Sequence, residues 1–346
     1  IDGEADGDNS GFSVSLSADG SMVAIGASYN DGNGSAAGHV RLYVWDDASW
    51  VQRGADIDGE GGLDFSGHSV SLSADGAVVA IGAYANNGNG DNAGHVRLYA
   101  WDGSSWVQRG SDIDGEAAGD NSGYSVSLSA DGSVVAIGAS GNDGNGSAAG
   151  HVRLYVWDDA SWVQRGADID GEAVEDNSGF SVSLSADGAV VAIGAYFNDG
   201  TGNFAGHARV YAWNGSNWVQ RRADIDGEAA EDNSGYSVSL SADGAVVAIG
   251  ATANGAAGHM RVYEVLETND NADNCALVAN ADQLNTDGDA FGNVCDADDD
   301  GDGVSDVDEA ANGTDPLLVD TDGDGANDNA DNCALVANAD QENTDD

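Results

Sequence analysis

The phrase Ile-Asp-Gly-Glu starts at Ile1, Ile57, Ile113, Ile169 and Ile225, a constant step of 56 residues. A chain that repeats on this scale folds as an array of like units, so the period constrains the architecture before any local pattern does. The residue before Ser-Val-Ser-Leu recurs on the same step as Phe12, His68, Tyr124, Phe180 and Tyr236. A Gly-His pair recurs at His39, His95, His151, His207 and His259; the last interval is 52, because the loop before Gly258 is four residues shorter.

Within one unit, residues 11–17 and 22–28 are short runs of alternating apolar residues joined by Ser17-Ala18-Asp19-Gly20, which reads as a hairpin. Residues 39–46 and 49–57 form a second hairpin across Asp46-Asp47-Ala48-Ser49. Four short strands per repeat, with Gly-rich connections and no helical period, predict an all-β fold: a β-propeller of four-stranded blades. Known blade repeats run to roughly 40–50 residues. A β-solenoid is the rival, but its repeats are shorter and need no pair of hairpins. The expected domain spans 1–266, with repeats starting near 1, 57, 113, 169 and 225.

Ser10-Gly11-Phe12-Ser13-Val14 and Ile25-Gly26-Ala27-Ser28, recurring fivefold, resemble the two halves of the FG-GAP repeats of integrin α-chain propellers. The resemblance covers about residues 1–266 and implies a propeller. Calcium-binding blades of that family carry an Asp-x-Asp-x-Asp-Gly loop, whereas this chain has only Ser-Ala-Asp-Gly at 17–20, so those sites are not carried over. The loops Asn30–Gly34 and Asn142–Gly146 offer oxygen ligands, yet Asn-Gly and Asp-Gly are ordinary turn formers. The fifth repeat leaves the pattern after Val265, without a copy of the fourth strand. Further blades before Ile1, imperfect closure, or a strand donated by a neighbouring chain are the three ways to meet that edge.

Sixty-one acidic residues face 10 basic ones, all Arg, for a net charge of −51. Phosphate neutralisation needs clustered Lys and Arg, so nucleic acid is excluded as a partner. Such self-repulsion calls for hard divalent cations instead. No apolar run reaches the ~18 residues of a membrane span. The five His sit one per blade, which disperses them and predicts a structural role. Arg41, Arg97, Arg153, Arg209 and Arg261 are expected to pair with carboxylates, and Trp45, Trp50 and their copies to pack between blades. No Ser-His-Asp order, nucleophile elbow, P-loop or HExxH helix occurs, and near-identical blades argue against a unique asymmetric site. The expectation is therefore a chain that is not an enzyme.

From Glu267 the composition changes: aromatic residues nearly vanish and no Arg, Lys or His occurs through Asp346. Asp298, Asp300, Asp302, Asp306 and Glu309 occupy positions 1, 3, 5, 9 and 12 of a calcium loop, with Gly303 at the sharp turn of position 6. Asp320, Asp322, Asp324, Asp328 and Asp331 repeat the register around Gly325, and Asn285, Asp287 and Asp289 leading to Asp296 form a third, weaker version. Without metal, so acidic a segment reads as a disordered tail. The Asp273-Asn274-Cys275 phrase, Asn280, Gln283 and the Gly292–Asp296 run resemble the thrombospondin type 3 repeat, with Ala276 and Ala334 where that family has Pro. The resemblance implies that calcium forms the core of a rod over 267–346 and that Cys275 pairs with Cys295. Cys333 occupies the place of Cys275 in a second copy, so its partner is expected beyond residue 346.

A disulfide and millimolar calcium both point to the cell exterior. The leading functional expectation is a secreted, calcium-binding surface protein: the propeller meets a protein or glycan ligand and the tail acts as spacer. A self-assembling filament or matrix subunit, binding copies of itself, is the alternative, and a secreted hydrolase a minor one. Asn33, Asn145, Asn214 and Asn312 head Asn-x-Ser/Thr triplets that accept glycans in a glycosylating pathway.

Overall fold

The computed structural model describes residues 1–254, 257–265, 284–289 and 291–342. The chain divides into two units, Ile1–Val265 and Leu266–Asp346.

In the first repeat, β1 (Ser10–Leu16), β2 (Met22–Ala27), β3 (His39–Trp45) and β4 (Trp50–Gln52) form an antiparallel meander in that order. A two-residue strand, β5 (Ile57–Asp58), pairs back onto β3, Ile57 opposite Val40 and Asp58 opposite His39. The Ile-Asp-Gly-Glu phrase is thus the closing element of a sheet rather than the opening of the next, and each complete sheet holds five strands around the expected four-strand path. The next three repeats copy this arrangement. In the fifth, the described residues form three strands, Ser234–Leu240, Val246–Ala251 and His259–Glu264.

The core lies between consecutive sheets. Met22, Ala24, Val40, Leu42 and Ile57 of the first repeat pack with Val70, Leu72, Val79 and Ile81 of the second, and the same set recurs at the next junctions. Alternation in Ser-Val-Ser-Leu sends the two faces of one strand to different neighbours. Val70 and Leu72 face the preceding sheet, while Ser13 Oγ donates to Gly67 O at 2.7 Å and Ser15 Oγ accepts from Leu72 N at 2.9 Å on the following one. Turn meets turn as well: Ala18 N donates to Ala74 O, Ala74 N to Ala130 O, Ala130 N to Ala186 O and Ala186 N to Ala242 O. The indole N–H of Trp106 donates to Arg53 O at 2.7 Å, and Trp162 and Trp218 repeat the bond to Arg109 and Arg165. The tryptophans therefore stitch repeats together, as the sequence predicts.

Close approach explains the Gly of Ile-Gly-Ala. A Cβ on Gly138 would stand 2.0 Å from Gly179 O of the next repeat, and Gly26, Gly82 and Gly194 meet the same obstacle. Gly250, in the last sheet, meets only the Ser237 side chain at that range. The array's outer faces are open. Leu16 is 59% exposed where Leu72 is 7%, and Met260 and Val262 are 62% and 56% exposed where Val40 and Leu42 are buried.

The second unit is loop-rich. Its described residues form successive turns and one helix, α1 (Asp306–Asn312), whose N-cap Ser305 accepts from Asp308 N and which ends on Gly313 in the left-handed region.

Candidate metal centre

The acidic loops of the second unit are built by their own carboxylates. In the 298–309 loop, Asp298 Oδ2 accepts from Gly303 N at 3.0 Å, Asp300 Oδ1 from Asp302 N at 3.1 Å, and Asp302 Oδ1 from Val304 N at 2.7 Å. Gly303 at position 6 has φ 99°, the conformation that a side chain resists. The carboxylates of Asp302 and Asp298 both bear on Asp300. From the first turn of α1, Glu309 reaches the same place and is fully buried. The Thr314 hydroxyl beside Glu309 offsets part of its burial, but neither Glu309 carboxylate oxygen has a partner at full hydrogen-bond geometry, and Asp298 Oδ1 and Asp300 Oδ2 are buried and unpartnered too. Burial, with the Asp300 carboxylate beside it, pushes Glu309 up to about 7. Burial raises Asp300 in the same way. Asp306, at position 9, instead accepts from Asp299 N at 2.9 Å.

The 320–331 loop repeats this pattern. Asp320 Oδ2 accepts from Gly325 N at 2.8 Å, Asp322 Oδ1 from Asp324 N at 3.1 Å, and Asp324 Oδ1 from Ala326 N at 2.9 Å; Gly325 again has φ 99°. Asp328 at position 9 accepts from Thr321 N at 3.0 Å. Asp331 at position 12 accepts from Gln341 Nε2 at 2.9 Å. Consecutive loops interlock: Asn329 N donates to Asp302 Oδ2 at 3.1 Å, and Asn338 N to Asp324 Oδ2 at 2.6 Å.

In the third, weaker version Asn285 Oδ1 accepts from Gly288 N at 2.6 Å, and the carboxylates of Asp287, Asp289 and Asp296 lie within 4.8 Å of one another. These acidic groups can hold a cation. The donors are all oxygen, the set that suits calcium. Cys295 is disulfide-bonded; Cys275, its expected partner, lies outside the described residues, and Cys333 is a free, exposed thiol.

In the first unit the recurrent Arg and His face the Glu of the Ile-Asp-Gly-Glu phrase. Arg41 Nη2 donates to Asp2 O at 2.7 Å while Nη1 lies 3.7 Å from Glu4. Arg97, Arg153 and Arg209 repeat the contact with Glu60, Glu116 and Glu172. The predicted Arg–carboxylate pairing is thus in place. His39, His95, His151 and His207 are buried beside the same glutamates. Burial, followed by the neighbouring Arg, lowers His95, His151 and His207, the last to about 4. The carboxylates around each His, from the Ile-Asp-Gly-Glu phrase and from the Asp preceding it, escaped the sequence reading, although both recur on the 56-residue step.

The Asn30–Gly34 loop is a turn: Asn30 Oδ1 accepts from Gly32 N and Asp31 Oδ1 from Ala36 N. Of the glycan acceptors, Asn33 and Asn145 use their Nδ2 to bridge repeats, donating to Gly59 O and Gly171 O at 2.7 Å, bonds that a glycan would disrupt. Asn214 caps a hairpin turn through its Oδ1, and Asn312 ends α1.

Residues 319–341 match the family model of the thrombospondin type 3 repeat, the segment that carries the second acidic loop. No curated protein matches the chain. Among solved structures, Kuenenia stuttgartiensis hydrazine synthase is similar at 15% identity and a TM-score of 0.48, over 78% of this chain. The chain spans 65% of that protein's length. The periplasmic gluconolactonase PpgL of Pseudomonas aeruginosa is similar at 17% identity and a TM-score of 0.46, over 73% of this chain and 70% of its own. Both names are those of enzymes, which runs against the expectation drawn from the sequence that the chain is not one. Among the described residues, no helix is long and apolar enough to cross a membrane.

Proposed function

We propose that the chain is a calcium-stabilised interaction protein of the cell exterior. Its repeats are read as the blades of a β-propeller of the FG-GAP kind, a scaffold whose loops meet a protein or glycan ligand. Its tail is read as a spacer whose core is calcium. One observation carries the reading: Glu309 is fully buried, and both its carboxylate oxygens lack hydrogen-bond partners beside unpartnered oxygens of Asp298 and Asp300. Burying a charge without a partner is costly, and a cation coordinated by these oxygens removes that cost. The proposed ligands are Asp298, Asp300, Asp302, Asp306 and Glu309, then Asp320, Asp322, Asp324, Asp328 and Asp331, and in the weaker loop Asn285, Asp287, Asp289 and Asp296.

The type 3 repeat match over 319–341 supports both the calcium and the extracellular setting. Calorimetric titration of the full chain and of Glu309→Gln tests it. The native chain is expected to bind calcium at the 298–309 loop and the variant to lose that site; equal binding by both would remove Glu309 from the ligand set. The exposed apolar faces at Leu16 and at Met260 and Val262 favour assembly of copies as a second reading, and sedimentation against protein concentration separates the two.

A further inference from the structure

Four times along the first unit, a buried imidazole faces two carboxylates from separate connecting segments. The groups are Glu4, His39 and Asp56; Glu60, His95 and Asp112; Glu116, His151 and Asp168; and Glu172, His207 and Asp224. In each, one ligand atom per residue lies within 4.8 Å of the others. The glutamate follows the closing strand of the preceding repeat, whereas His and Asp come from one sheet. Three of the groups therefore straddle a junction, and in the first Glu4 comes from the segment before β1.

The separations decide what such a group can do. His207 Nδ1 lies 3.8 Å from Glu172 Oε2 and 4.0 Å from both Asp224 Oδ2 and Asp226 Oδ1. His95 Nδ1 lies 3.7 Å from Asp112 Oδ2, and His151 Nδ1 lies 4.0 Å from Glu116 and 3.9 Å from Asp168. These gaps are too long for hydrogen bonds, which run to about 3.2 Å. Ligands held about 2.1 Å from one cation stand about 3.0–3.5 Å apart, so each imidazole must close on its carboxylates by about half an ångström to share one. In the fourth group His207 supplies the independent sign: it is 1% exposed, and its Nδ1, aimed at the carboxylates, has no hydrogen-bond partner, as its Nε2 has none; the other three groups repeat its arrangement. The glutamates are already oriented, because the neighbouring Arg lies 3.6–3.7 Å from their other oxygen. Support of this kind from outside the ligand set is common around metals.

We infer that each of the four groups is a binding site for a first-row divalent transition cation, ligated by the His Nδ1, the Glu and the Asp. One imidazole with two carboxylates selects the zinc, cobalt and manganese class over calcium, which takes oxygen alone. The sites are thus chemically distinct from the loops of the tail and do not depend on the reading of those loops. The fifth repeat keeps His259 3.6 Å from Glu228, but its sequence leaves the pattern after Val265, so the Asp that follows the fourth strand elsewhere has no counterpart.

The test is a cobalt titration of the full chain in millimolar calcium, which holds the all-oxygen loops occupied. Cobalt d–d absorption and metal analysis after gel filtration count the bound ions. Four equivalents are expected from the native chain and three from Asp112→Asn or His95→Gln. Asp112→Asn keeps shape and partial exposure, so it reports even if His95→Gln misfolds. The fourfold variant Asp56→Asn, Asp112→Asn, Asp168→Asn and Asp224→Asn is expected to bind none. Less than one equivalent in the native chain, or unchanged binding by folded Asp112→Asn, overturns the assignment.

Discussion

Leu16 and Leu128 occupy the same place in the Ser-Val-Ser-Leu strand of their repeats, yet one is 59% exposed and the other 8%. The difference comes from the neighbouring sheet alone. Leu128 packs with Val78, Ala80, Val96 and Leu98 of the preceding repeat, and no such surface covers Leu16. Truncating a buried Leu to Ala costs about 2–5 kcal/mol, because the transfer term is joined by that of the cavity left behind. At an exposed position the cost is about 0.5 kcal/mol or less. Leu128→Ala is therefore expected to destabilise the array by roughly 2 kcal/mol or more beyond Leu16→Ala. Repeat arrays need not unfold in one step, so the assay is native-state hydrogen exchange read repeat by repeat. Loss of protection is expected at residues 69–83 and 122–139 in Leu128→Ala and almost none in Leu16→Ala. Equal losses would mean that the face at Leu16 is covered in solution, by ring closure or by a second copy, and the open-ended description would fail.

Gly138→Ala sets a Cβ 2.0 Å from the Gly179 carbonyl oxygen, so backbone must move at a cost of about 1–3 kcal/mol. Gly250→Ala meets only the Ser237 side chain and is expected to cost less, a ranking that urea denaturation checks. Trp162→Phe removes the bond to Arg109 O and is expected to cost about 1 kcal/mol at that junction, with fluorescence following the unfolding.

Glu309 has a folded pKa raised from 4.5 to about 7, so without metal the folded loop holds a proton that the unfolded chain releases. Stability of the metal-free loop should then be greatest below pH 4.5 and fall as pH rises to about 7. Calcium should invert that trend, since it binds the deprotonated carboxylate. Exchange at 298–313 across pH 5–8, with and without calcium, decides the sign.

The architecture of repeated sheets was legible because the period, the alternation of Val and Leu with Ser, and the turn phrases point the same way. What escaped is long-range in origin. The pairing of Ile57 and Asp58 back onto β3 depends on partners 17 and 19 residues away, and no property of a two-residue strand announces it. The role of Ser13 and Ser15 as donors and acceptors to the next sheet is equally invisible in alternation, which distinguishes faces but not what covers them. In the tail, Asp and Gly spacing placed the loops, because one turn's ligands are local in sequence. That Asp306 and Asp328 each accept a backbone hydrogen bond from position 2 needed coordinates. The carboxylates beside each His recur on the same period, but the period does not say which of them the fold brings to one imidazole.

The most direct test of the calcium-built tail is hydrogen exchange of the full chain over residues 298–331 in millimolar calcium and again in excess chelator. Protection that appears across both acidic loops with calcium and disappears on chelation is the predicted result; the same exchange in both conditions would contradict it.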